Sequence, residues 1–244
     1  MPDIHLHPHY HEHHEHHEEH FRNSEFITDI VIGMSDGLTV PFALAAGLSG
    51  AVASSSIVLT AGIAEIVAGS IAMGLGGFLA GQTEVEHYDA ELAREYDEVE
   101  RVPEREKQEI REILADYGLS ETTQHAVVEE LANNKDRWVD FMMKFELGLE
   151  KPDEGRATKS ALTIGLSYVV GGLIPLIPYY FFDVASEGLK YSAVITLLCL
   201  LVFGWFKSKA TGQPPLKGAL KVAAIGTAAA TAAYFVAKLL GAGL

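Results

Sequence analysis

One cysteine, Cys199, occurs in 244 residues, which excludes an internal disulfide framework and every zinc pattern built on several cysteines. Positive charge is also scarce: 18 lysines and arginines stand against 33 aspartates and glutamates, a formal net charge of −15. The basic footprint of a nucleic-acid binder is therefore missing. No Walker-type Gly-x-x-x-x-Gly-Lys-Ser/Thr occurs, so no ATP-driven step is indicated. No β-hairpin signal is present, and the N-terminus has no basic region leading into an apolar core with a small-residue cleavage site. An intramembrane hydrolase lacks support as well, because paired aspartates in distinct spans and a Ser/His dyad are both missing; His87 and His125 fall outside the predicted spans.

What the chain has instead is long runs with almost no charge. The mean hydropathy of +0.15 averages over four compositional regions. Residues 1–25 hold nine of the eleven histidines. Residues 26–81 are apolar and small, interrupted only by Asp29, Asp36 and Glu65. Residues 82–160 carry 22 acidic and 11 basic side chains, and the remainder is apolar again. The predicted fold is an all-α integral membrane protein. It has five transmembrane helices, near 26–50, 55–81, 159–182, 190–207 and 217–240, with a helical domain at 82–158 inserted between the second and third. Ser160 to Phe182 is an unbroken run of 23 uncharged residues, enough to cross the hydrocarbon core. The last two runs have 16 uncharged residues each between lysines that must snorkel.

Lysine and arginine bias sets the orientation. Lys207, Lys209, Lys217 and Lys221 crowd one connection, whereas the 50–54 turn has no charge. Placing the lysine-rich connection and the 82–158 domain in the cytoplasm puts the N-terminal tail inside and the C-terminus outside. Within the domain, the second helix continues from Gln82 to Glu100 with no breaker, as a rod leaving the membrane. Pro103 opens a segment that ends near Tyr117-Gly118, Ser120 caps another to about Ala132, and Asn133-Asn134 bend the chain into a last helix over 136–148.

The few ionisable residues inside the spans are patterned. Asp29, Gly33, Asp36, Val40, Ala43 and Gly47 share one helical stripe, and Glu65, Gly69 and Met73 share another. A carboxylate at mid-membrane costs roughly 2.5–3.5 kcal/mol on insertion scales, so Asp36 must face protein, water or an ion. Glu65 reads equally well as a neutral hydrogen-bonded acid and as a metal contact. Gly33-x-x-x-Gly37 and Gly77-x-x-x-Gly81 fit close helix packing.

The stretch at 29–50, DIVIGMSDGLTVPFALAAGLSG, closely resembles the vacuolar iron transporter family of plants and fungi, which also has prokaryotic members. The similarity continues through Glu65, Met73 and Glu84-x-Glu86-His87-Tyr88 into the acidic block, and covers about 25–240. That resemblance implies a homodimer of five-helix protomers. It would export Fe²⁺, with Mn²⁺ and other divalent ions such as Zn²⁺, Co²⁺ or Ni²⁺, from the cytosol into a vacuole or out of the cell in exchange for protons. The implied path runs between protomers, with Asp36 coupling metal and proton beside Glu65 and Met73; Asp29, on the same stripe as Asp36, is a further path candidate. The implied cytoplasmic ligands are Glu95, Glu98, Glu106, Glu109, Met142, Met143 and Glu146. Residue chemistry agrees: the glutamates form i, i+3 pairs, and oxygen donors with a little sulfur suit first-row divalent cations over Mg²⁺ and Ca²⁺. A solvated acidic helix laced with Arg94, Arg101, Arg105 and Arg111 is the other reading of the same positions.

His87 is an auxiliary candidate; its lone Glu-x-x-His does not make a di-iron bundle, which needs two such motifs and further glutamates. His13 and His16 stand for a tail whose imidazoles would gather divalent ions loosely, or serve as a pH-responsive spacer or purification sequence. The histidine-rich tail departs from the plant pattern, so the sequence leaves open a vacuolar membrane in a eukaryote and the plasma membrane in a prokaryote. The competing function is a membrane-anchored divalent-metal sensor or buffer that binds without transporting. No resident cofactor and no enzymatic activity are expected, and the partners are metal ions, protons and the lipid bilayer.

Overall fold

The computed structural model describes residues 20–241; the expectations for His13 and His16 lie outside them. The described residues form eight α-helices: α1 (His20–Ala51), α2 (Ser55–Arg101), α3 (Pro103–Asp116), α4 (Glu121–Ala132), α5 (Lys135–Phe145), α6 (Arg156–Leu176), α7 (Ala185–Ala210) and α8 (Pro215–Gly241). A 3₁₀ turn, Ile177–Tyr180, follows α6. Five helices are long and apolar enough to cross a membrane: α1, the first part of α2, α6 with its 3₁₀ turn, α7 and α8.

The spans end where their chemistry changes. Pro175 precedes the 3₁₀ turn, so the third span tightens there instead of running on as an α-helix to residue 182. The fourth begins at Ala185, five residues earlier than hydropathy suggests. Glu187 and Lys190 make an i, i+3 ion pair of 2.8 Å on its exposed first turns, so charge there does not interrupt the helix.

The spans alternate in direction. At one end the α1–α2 turn and the α6–α7 turn are joined by backbone hydrogen bonds, Ser55 N–H to Asp183 C=O at 3.0 Å and Ala185 N–H to Ala53 C=O at 2.8 Å. The α7–α8 connection, the start of α6 and the acidic helices therefore share the opposite end. Helix α6 packs extensively along both α1 and α2. It can do so because glycines remove side chains at the crossings. A Cβ on Gly33 would lie 2.3 Å from the Ile164 carbonyl oxygen, and one on Gly81 would lie 2.7 Å from the Ala157 Cα. Both small-residue pairs noted in the sequence thus pack on α6. In lipid, where burial of apolar surface drives nothing, such close van der Waals approach holds helices together.

Helix α2 runs unbroken for 47 residues, its apolar part ending at Gly81. The remainder, with α3, α4 and α5, forms its own apolar cluster of Val99, Ile110, Leu114, Val128, Trp138, Val139, Met142 and Met143. Local signals define these helices: Pro103 sits at the start of α3, Ser120 caps α4 by accepting from Thr123 N–H, and Asn134 caps α5 by accepting from Arg137 N–H.

Candidate functional site

One group of carboxylates stands out beyond the bundle, and further carboxylates lie inside it. In the outer group, Glu95 and Glu98 project from α2, Glu106 and Glu109 from α3, and Glu146 caps the end of α5. Val102 breaks the helix between α2 and α3, which folds the two i, i+3 pairs toward each other. Oxygens of Glu95, Glu98 and Glu106 lie within 4.8 Å of one another, as do those of Glu106, Glu109 and Glu146. Glu106 belongs to both sets.

Glu95 is 1% exposed and Glu106 fully buried. One oxygen of Glu95 and both of Glu106 have no hydrogen-bond partner. Orphaned buried carboxylate oxygens cost free energy unless a proton or a cation satisfies them. Burial pushes Glu95 up to about 7, helped by the negative charges of Glu146, Glu98 and Glu109 and opposed by Arg94. Glu106 is pushed up to about 7 by burial, then by Glu109, Glu95, Glu98 and Glu146. Burial also raises Glu146. Arg94 lies 3.9 Å from Glu98 and Arg105 3.0 Å from Glu109, so the arginines hold the rim and leave Glu106 without a cation. Met142 and Met143 are buried in the apolar cluster, on the same helix that Glu146 caps. His87 is on the exposed side of α2, 3.9 Å from Glu91 and in neither carboxylate set.

The inner candidates lie on two of the spans. Asp36 on α1 and Glu65 and Met73 on α2 are each half-buried. Asp36 has no hydrogen-bond or ion-pair partner among the described residues. Pro41, five residues on, has no N–H for the carbonyl of Gly37, the residue that follows Asp36. Glu65 is held by Tyr168 of α6, whose hydroxyl donates to one carboxylate oxygen, while the other is buried without a partner. Gly69 makes room for this contact: a Cβ there would lie 2.5 Å from the Tyr168 hydroxyl. Sequence reasoning did not find Tyr168; the only signal was an isolated polar aromatic in an apolar run.

Asp29 is a different case. It is 5% exposed and accepts a 2.9 Å hydrogen bond from Arg156, the first residue of α6. Glu25 at 2.9 Å and Glu84 at 3.8 Å approach the same guanidinium. A cation at a helix N-terminus is unfavourable by itself, and these carboxylates offset it. Asp29 thus ties α1 to α6 where the spans meet the acidic helices.

Five apolar crossings, charged groups confined to the bundle interior and its rim, and a carboxylate centre outside define a multi-pass membrane protein. The VIT family matches residues 27–238, and the chain belongs to that family. It is 56% identical over 218 residues to vacuolar iron transporter 1 of Eucalyptus grandis, covering 89% of this chain and 88% of that one. Vacuolar iron transporter 1 of Arabidopsis thaliana is 54% identical over 220 residues, covering 90% and 88%. Protein CCC1 of Saccharomyces cerevisiae is 39% identical over 228 residues, covering 88% of this chain and 69% of its own length. It is a transporter family, and nothing in either carboxylate group resembles a catalytic nucleophile paired with a base.

Proposed function

We propose that this chain moves Fe²⁺, and Mn²⁺ with it, out of the cytosol in exchange for protons. The observation that carries the reading is Asp36, a half-buried carboxylate within a span, with no counter-charge among the described residues. A carboxylate in that setting is stable only with a proton or a cation, and the two compete for the same oxygens. Metal on the deprotonated group and proton on the metal-free group make an exchange cycle without ATP. Glu65, oriented by Tyr168, and Met73 supply further oxygen and sulfur donors, the mixture that suits iron, manganese, cobalt, nickel and zinc over magnesium and calcium.

The outer carboxylates, within a cytoplasmic domain at 82–158, capture the ion first. Glu106 and Glu95 bind protons near neutral pH, so an arriving cation displaces protons rather than meeting a fully charged cluster. A second copy of the chain completes the path: Asp36, Glu65 and Met73 are each only partly covered by their own protomer. The N-terminus shares the cytoplasmic side, and the receiving compartment is a vacuole or the exterior.

Proteoliposomes with an acidic interior and Fe²⁺ outside test the proposal. Metal uptake accompanied by proton efflux is the expected result; uptake of equal rate with no pH difference rejects proton exchange. Saturable binding with no flux would support a membrane-anchored buffer instead, a reading favoured by the outer centre lying wholly beyond the spans.

A further inference from the structure

Residues 188–244 contain six lysines and no aspartate or glutamate, in a chain whose net charge is −15. Four of the six flank the α7–α8 connection, at the same end of the bundle as Arg156. Lys209 lies over the Trp205 ring, 5.2 Å from its centroid. Lys207, Lys217 and Lys221, with Ser208, Thr211 and Gln213, line a cavity of about 360 Å³ between the two helices. That size is within the range of small-ligand pockets, roughly 300–1,000 Å³. No carboxylate pairs with these three lysines among the described residues.

We propose that this cavity binds the phosphate headgroup of an anionic phospholipid. Three ammonium groups facing one cleft repel each other until an anion enters, and no acidic side chain among the described residues supplies it. The first turn of α8, a 27-residue helix, opens beside the same cleft and adds the positive end of its dipole. The cleft has a built floor. Gly218 lets α8 approach α7 so closely that a Cβ there would fall 1.6 Å from the Ser208 hydroxyl. Thr211 closes the end of α7 by donating to the carbonyls of Lys207 and Ser208, at 3.1 and 3.3 Å.

Depth separates a lipid from a soluble phosphate. Trp205 and Phe206 are exposed one turn or less from Lys207, the level at which aromatic side chains mark the membrane–water boundary. Leu216 and Leu220 are 72% and 58% exposed, one residue before Lys217 and Lys221 respectively, so an apolar stripe runs alongside the lysine stripe. Headgroup phosphate on the lysines and acyl chain along the leucines is one continuous footprint. Basic clefts between helices on the cytoplasmic side are suited to such headgroups.

The full-length protein in detergent is titrated with dioctanoyl phosphatidylinositol 4-phosphate, dioctanoyl phosphatidylcholine and inorganic phosphate, and bound ligand is counted by native mass spectrometry. The inositol lipid is expected to bind about tenfold or more tighter than either other probe. Lys207→Gln/Lys217→Gln/Lys221→Gln should lose that advantage about tenfold, Lys→Arg at the same three positions should keep it, and Lys190→Gln/Lys238→Gln should change it less than about twofold. Should the triple glutamine variant fail to fold, the exposed pair Lys217→Gln/Lys221→Gln carries the test, with a loss of about fivefold expected. Unchanged binding in the glutamine variants, or equal binding of phosphatidylcholine, overturns the proposal. Inorganic phosphate binding as tightly as the lipid overturns it too, since the acyl chains then contribute nothing.

Discussion

Three acidic residues in the spans are held in three different ways, and each way makes its own prediction. Asp36 has no partner among the described residues, and on the proposed exchange Asp36→Asn should cut Fe²⁺ flux at least about tenfold in proteoliposomes while leaving expression and metal binding at the outer centre unchanged. Glu65 has a partner in Tyr168. Removing that donor in Tyr168→Phe forfeits a hydrogen bond to a charged group, worth about 1.5–3 kcal/mol. The apparent KM for Fe²⁺ should therefore rise about tenfold with Vmax little changed; a loss of Vmax alone would assign Tyr168 to packing. Asp29 has Arg156. In Arg156→Gln the buried carboxylate loses its charge partner, a loss of about 3–5 kcal/mol for a buried pair, and thermal unfolding should come markedly earlier. Adding Asp29→Asn should restore most of the lost stability, which a general packing defect would not allow.

At the level of helices, the outer centre depends on α2, α3 and α5 bringing like charges together. Glu95 and Glu106 bind protons more tightly folded than unfolded, so their contribution to stability is complete below the ordinary glutamate range and is lost as pH rises through about 7. Metal-free protein should lose protection of the buried Trp138 between pH 5 and 8, and Mn²⁺ should restore it; near-neutral melting curves read by Trp138 fluorescence in a Trp205→Phe background check this. Glu106→Gln should flatten the pH dependence and abolish the metal rescue. The helices themselves were largely legible in the sequence. Pro103, Gly118, Ser120 and Asn134 are local signals, and each marks a boundary close to where the structure places it. The glutamate pairs were legible as pairs, but their convergence was not, because it depends on the angle at Val102. The Glu65–Tyr168 and Asp29–Arg156 contacts span 103 and 127 residues, and no local period encodes a partner that distant. The early start of α7 was hidden because hydropathy counts Glu187 and Lys190 as charges and not as a pair on a helix surface.

For the molecule as a whole, the unbroken α2 joins the outer centre to the bundle. Asp89→Gly/Ala90→Gly places two flexible residues between the bilayer and Glu95, each costing about 1 kcal/mol of helix stability. Metal affinity of the outer centre should hold, while flux at limiting Fe²⁺ falls several-fold; unaltered flux would mean capture and permeation are independent. A stiff helix also transmits angle. Glu95 is 14 residues past Gly81, about 21 Å along the axis, so a 10° swing of the membrane half displaces it by about 4 Å. The oxygens it shares with Glu98 and Glu106 are no more than 4.8 Å apart. Glu95 and Glu98 sit far out on that lever, and α3, α4 and α5, packed on it in one apolar cluster, travel with it, so modest rocking in the lipid carries the whole carboxylate set sideways together.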